Sequence, residues 1–157
     1  MHISVRELLR LFDEAYNRPT WLGSNLRAAV ARVKAKEALW RPAPKRHNVW
    51  ELTLHAAYWK YMVRRRLLEE KRGSFVLKGS NWFRSPAKVS EKEWRAILSV
   101  LDEEHRKLRA VVAQISPAIL HKRVGRSRWT ALQSISGAAM HDIYHAGQIQ
   151  LLKRLMK

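Results

Sequence analysis

The stretch Gly137-Ala138-Ala139-Met140-His141-Asp142-Ile143-Tyr144-His145-Ala146-Gly147-Gln148 carries two histidines four residues apart. On a helix that spacing puts one side chain above the other on the same face, so two imidazoles can reach one point. The surrounding residues read as one helix from Ala131 to about Leu155, with Ser134, Ala138, His141, His145, Gln148 and Leu152 on a single stripe. Glycine costs about 1 kcal/mol relative to alanine inside a helix, so Gly137 and Gly147 flanking the pair suggest close packing there. A third histidine, His55, lies in another apolar helical stretch, Trp50-Glu51-Leu52-Thr53-Leu54-His55-Ala56-Ala57-Tyr58-Trp59. If the two helices pack, three imidazoles converge.

Working outward, Ser4 with Glu7, Asn48 with Glu51, Ser90 with Glu93 and Thr130 with Gln133 have capping-box spacing and mark four helix starts. The expected helices run from about Val5 to Tyr16, Trp21 to Ala38, Asn48 to Lys71, Glu91 to Ile115 and Ala131 to Leu155. Asn17-Arg18-Pro19 ends the first and Arg41-Pro42-Ala43-Pro44 the second. His105 falls between Glu104 and Arg106 and reads as partly exposed without a role. Helical periodicity is absent between Gly73 and Lys88; a stretch of that length suggests a lid or a tacked-down loop, with Trp82 and Phe83 suited to either job. The expected fold is all-α: a four-helix up-and-down bundle with an extra short N-terminal helix and a long loop between the second and third bundle helices.

At 157 residues the chain fits one domain with a substantial core. It has no cysteine, which excludes disulfides, thiolate ligands and a cysteine nucleophile, and points to the cytoplasm. The N-terminus has charges at Arg6 and Glu7 and no apolar signal core, and no apolar run suggests a membrane span. There are 31 Lys and Arg against 13 Asp and Glu, a formal charge of +18. The basic residues are scattered, so they read as a solvated coat that makes non-specific contacts with nucleic acid, without a recognition motif.

Three neutral imidazoles suit Zn, Ni, Co or Fe as a divalent ion and leave coordination open for water or a substrate atom. His55, His141 and His145 are the candidate ligands. Gln148 and Asp142 are candidates to orient them, and Glu51 is a weak candidate base whose capping position is an alternative explanation. The segments His141-Asp142-Ile143-Tyr144-His145-Ala146-Gly147-Gln148-Ile149, His47-Asn48-Val49-Trp50-Glu51-Leu52-Thr53-Leu54-His55 and Trp40-Arg41-Pro42 resemble the DinB family of metal-dependent enzymes, over roughly Trp21 to the C-terminus. That resemblance implies a metal at the three histidines, a homodimer, a small-molecule substrate and, by similarity to thiol S-transferases and isomerases, a low-molecular-weight thiol. The function expected is therefore a metal-dependent transferase or hydrolase. The alternative is a non-enzymatic basic bundle that binds nucleic acid, its histidine cluster structural or vestigial.

Overall fold

Each long helix begins at a side chain that closes its first turn. The structure is a computed structural model describing residues 3–71, 73 and 75–157. In order come α1 (Val5–Tyr16), the short α2 (Leu26–Val30) and α3 (Ala35–Leu39), α4 (Val49–Leu67), α5 (Glu91–Gln114) and α6 (Ala131–Leu155), with one 3-10 turn at Pro117–Ile119. Ser4, Ser90 and Thr130 form reciprocal capping boxes with Glu7, Glu93 and Gln133. Asn48 also caps its helix by accepting from the Glu51 N–H, but the Glu51 side chain turns elsewhere.

The long helices α1, α5, α4 and α6 pack around a ring in that order, giving the all-α bundle with extra short helices. Their directions follow from side-chain pairs. Asp13 meets Arg109 at 2.7 Å and Tyr16 meets Asp102, so α1 and α5 are antiparallel. Trp50 and Ile97 line one cavity, while further along Arg64 approaches Glu104 at 3.8 Å, so α4 and α5 are parallel. His55 lies beside His145, and Val63 faces Leu132, which makes α4 and α6 antiparallel. The long connection after α4 therefore returns the chain along the bundle before α5 begins.

The segment expected as one helix from Trp21 to Ala38 is instead α2 and α3, separated by a turn in which Arg32 adopts a left-handed φ of 62°. Tertiary partners take the backbone groups a continuous helix would have used. The Trp94 indole donates to the Val33 carbonyl at 2.7 Å, the Ala35 N–H donates to Glu91 at 2.8 Å, and Lys153 donates to the Ala29 carbonyl at 3.0 Å. Meanwhile α1 is a wall of the bundle, burying Leu8, Phe12, Ala15 and Tyr16.

Two apolar clusters fill the interior. One gathers α2, α3 and the α4 residues up to Ala57 with Trp94, Leu101, Ala146 and Ile149; the other joins Leu8 and Phe12 with Val63, Leu108, Ile135 and Ala138. Between them on the long helices lies a belt of buried polar residues: Tyr16, His55, Lys60, Glu104, His105, Asp142 and His145. A polar layer in a bundle interior is expensive where groups go unmatched: Lys60 pairs with Asp142 and Tyr16 with Asp102, whereas both ring nitrogens of His105 are buried without a hydrogen bond.

Candidate metal centre

His55 comes from α4 and His141 and His145 from successive turns of α6, and their Nε2 atoms point at one another. His141 Nε2 lies 3.1 Å from His55 Nε2 and 3.0 Å from His145 Nε2. All three ligand atoms fall within 4.8 Å of one another. The outer nitrogens fix the tautomers. His55 Nδ1 donates to the Asn81 carbonyl at 2.8 Å, and His145 Nδ1 donates to Gln148 Oε1 at 2.6 Å. Gln148 is oriented in turn by donating from Nε2 to the Tyr144 hydroxyl at 3.2 Å.

A neutral imidazole with its proton on Nδ1 carries a lone pair on Nε2. Two lone pairs thus face His141, which has one proton to share between them, and a cation at the common point is what satisfies all three rings. Burial opposes protonation instead. It holds His141 at about 3, helped by the neighbouring His145 and His55, and His145 at about 4 despite the Gln148 hydrogen bond. His55 is lowered by the same burial, against the Asn81 bond. The set therefore fits a divalent metal: three neutral nitrogens, inward lone pairs and an outer hydrogen bond on two of the ligands.

The long loop supplies much of the support. Asn81, at a left-handed φ of 62°, gives its carbonyl to His55 and its side-chain oxygen to the Trp59 indole N–H at 2.8 Å. Asparagine tolerates that backbone region better than most residues. Trp82 stacks on His55 at 3.8 Å and on His47 at 3.7 Å, remaining partly exposed over the site. Phe83 is buried against Tyr58 and Phe75 and tacks the loop down. Of the two roles considered for this loop, the packing of Phe83 is the tacking one, while Trp82 lies against the histidines.

Glu51 does not face the histidine cluster. Burial would raise its carboxyl, but a two-pronged pairing with Arg41, the His47 ring at 2.9 Å and the Ser85 N–H at 3.2 Å hold it at about 2. So acidic a group is a poor proton acceptor near neutral pH, and its role in this geometry is to pin the loop to the start of α4. Asp142 also turns away from the rings: it is fully buried and paired with Lys60. Burial pushes its carboxyl up to about 6 and pushes the Lys60 ammonium down, each countered by the other.

His105, expected to be partly exposed, is buried and stacks on Tyr16 at 3.6 Å and Phe12 at 4.6 Å. Gly137 and Gly147 face open space, where an added Cβ would meet nothing within 4 Å. The close packing expected around the histidine pair comes from Ala138, Ala139 and Ala146, all buried. Asn81 and Lys60 are contributors that sequence reading passed over. Lys60 left a signal, a cation on the inward face four residues after the buried Ala56. The Asn81 contact depends on the path of an aperiodic loop.

The arrangement defines a helical bundle with a preformed three-histidine cluster at its mid-level. The DinB superfamily model matches residues 20–149, and the chain belongs to that family. Comparison with curated proteins and with solved structures returns no match. Among the described residues no helix is long and apolar enough to cross a membrane.

Proposed function

We propose that the protein is a metal-dependent enzyme of the thiol S-transferase or hydrolase kind, with a divalent ion held by His55, His141 and His145. The observation that carries this reading is the convergence of three Nε2 atoms, two of them deprotonated by hydrogen bonds made on the far side of the ring. A bound divalent ion supplies Lewis acidity that lowers the pKa of a thiol or water near it. The protein's part is to hold the rings, through Asn81 and Gln148, and to shield one of them with the Trp82 indole. Glu51 and Asp142 are tied to Arg41 and Lys60 and turn away from the rings, so neither would take the proton of the incoming group.

Elemental analysis of untagged protein should find close to one equivalent of a divalent metal, with a clear loss in His145→Ala; equal content in both would end this reading. A cobalt-substituted sample should change its visible spectrum on adding 2-mercaptoethanol. An unchanged spectrum would reduce the metal to a structural staple.

The +18 charge favours a second reading, a basic bundle that binds nucleic acid. Its signature would be a preference among sequences or shapes at physiological salt, since salt-sensitive binding alone follows from charge. For assembly, the reading includes a homodimer. Met140, Tyr144, Leu151 and Leu155 lie exposed along α6, an apolar stripe suited to packing against a second copy.

A further inference from the structure

A groove of about 580 Å³ runs between α4 and α6 and ends on His141. Trp59, Val63 and Arg66 supply one wall at helical spacing; Ser134, Gly137 and His141 supply the other. At its centre the α6 wall is made of the small residues Ser134, Gly137 and Ala138, with Leu132 and Met140 to either side, and a Cβ added at Gly137 would touch no neighbour. The lining is apolar apart from a few groups. Two of these lack partners: the Ser134 hydroxyl is buried with no hydrogen bond, and the Arg66 guanidinium has no carboxylate pairing among the described residues.

Arg66 is the informative one. Arg64 and Arg65 beside it both reach Glu70, at 3.5 and 3.9 Å. Arg66 turns the other way and lies over the Trp59 ring, 5.7 Å from its centroid. Trp59 in turn sits edge-on to His141, 6.4 Å between centroids. A single indole thus stands between the histidine cluster and a cation that has no carboxylate partner among the described residues, within a groove of the volume that small organic ligands occupy.

We propose that this groove binds the substrate, and that the substrate is a small carboxylic acid with an apolar, aryl-sized body. Its carboxylate pairs with Arg66, its body lies against Val63, Leu132 and Met140, and its far end approaches His141. The fork of a guanidinium matches a carboxylate, and an apolar surround strengthens the pair relative to water. The assignment of the groove to substrate rests on the metal-centre reading; the binding of an apolar acid there does not.

The probes are 4-phenylbutyrate and its neutral counterpart 4-phenylbutan-1-ol, titrated calorimetrically into the full chain with and without zinc. The acid should bind at least about tenfold more tightly than the alcohol, in both forms of the protein. Arg66→Met should abolish that preference while leaving alcohol binding unchanged. Gly137→Leu should fill the groove and remove binding of both, with helix content and melting temperature preserved, because the new side chain points into open space. The proposal is overturned if neither compound binds, if the preference survives in Arg66→Met, or if Gly137→Leu binds both as before. Acid binding by a protein that takes up no metal would uphold the pocket and sink the metal centre; metal uptake without acid binding would do the reverse.

Discussion

Gln148 acts on the site through one hydrogen bond, from His145 Nδ1 to its amide oxygen, and that bond decides which nitrogen of His145 faces inward. Replacing it with leucine should weaken metal affinity by roughly 10- to 100-fold without unfolding the protein, as judged by competition with a chelator of known affinity. His105 offers a different test. Burial, reinforced by the positive charges of Lys60 and Arg109, holds it at about 2, against an ordinary value of 6.5. In the unfolded chain this ring takes up a proton as pH falls through 6.5, whereas in the folded chain it stays neutral until about pH 2. Its contribution to stability is therefore complete above pH 6.5 and declines as pH falls, by up to about 1.4 kcal/mol per pH unit. His105→Leu should flatten the fall in stability between pH 6.5 and 5, followed by urea unfolding. A variant that tracks the native slope would contradict the assignment.

At the level of elements, Lys60 and Asp142 tie α4 to α6 at the same depth as the histidine cluster. Both are almost fully buried, so removing one leaves an uncompensated group in an apolar surround. Lys60→Met alone should destabilise by about 3–5 kcal/mol, while Lys60→Met with Asp142→Leu should recover most of the loss; a double-mutant cycle in urea measures both. The long loop is the other decisive element. Arg41, Ser85 and Glu51 fasten it to the start of α4, and only then can Asn81 and Trp82 reach His55. Its sequence signalled importance through length and aromatic content, but aperiodic chain carries no pattern from which its contacts follow.

For the molecule as a whole, the exposed apolar stripe of α6 and the surplus of positive charge make separate predictions. Light scattering after size-exclusion chromatography should give the mass of a dimer, and Leu151→Glu should shift it to a monomer with helix content intact, since Leu151 is exposed. A dimer that survives would place the contact on another face. Binding to random-sequence DNA should weaken steeply with salt and show no sequence preference, as expected of a coat of scattered cations. A sharp preference at physiological salt would favour the nucleic-acid reading instead.

Where local chemistry settles a matter, the amino-acid order was enough. Capping residues fix the first residue of every long helix, and helical period fixes that His141 and His145 share a face. The all-helical class follows from the same two signals, and the DinB motif from the residues around the histidines. What needed the folded chain were the choices made by partners distant in sequence. Trp94, Glu91 and Lys153 break the expected second helix, Lys60 claims Asp142, Arg41 claims Glu51, and Arg66 turns from the nearby acids to the Trp59 ring. Each is a competition between a local option and a tertiary one for the same polar group, and its outcome depends on which groups the packing of helices brings within reach and shields from water.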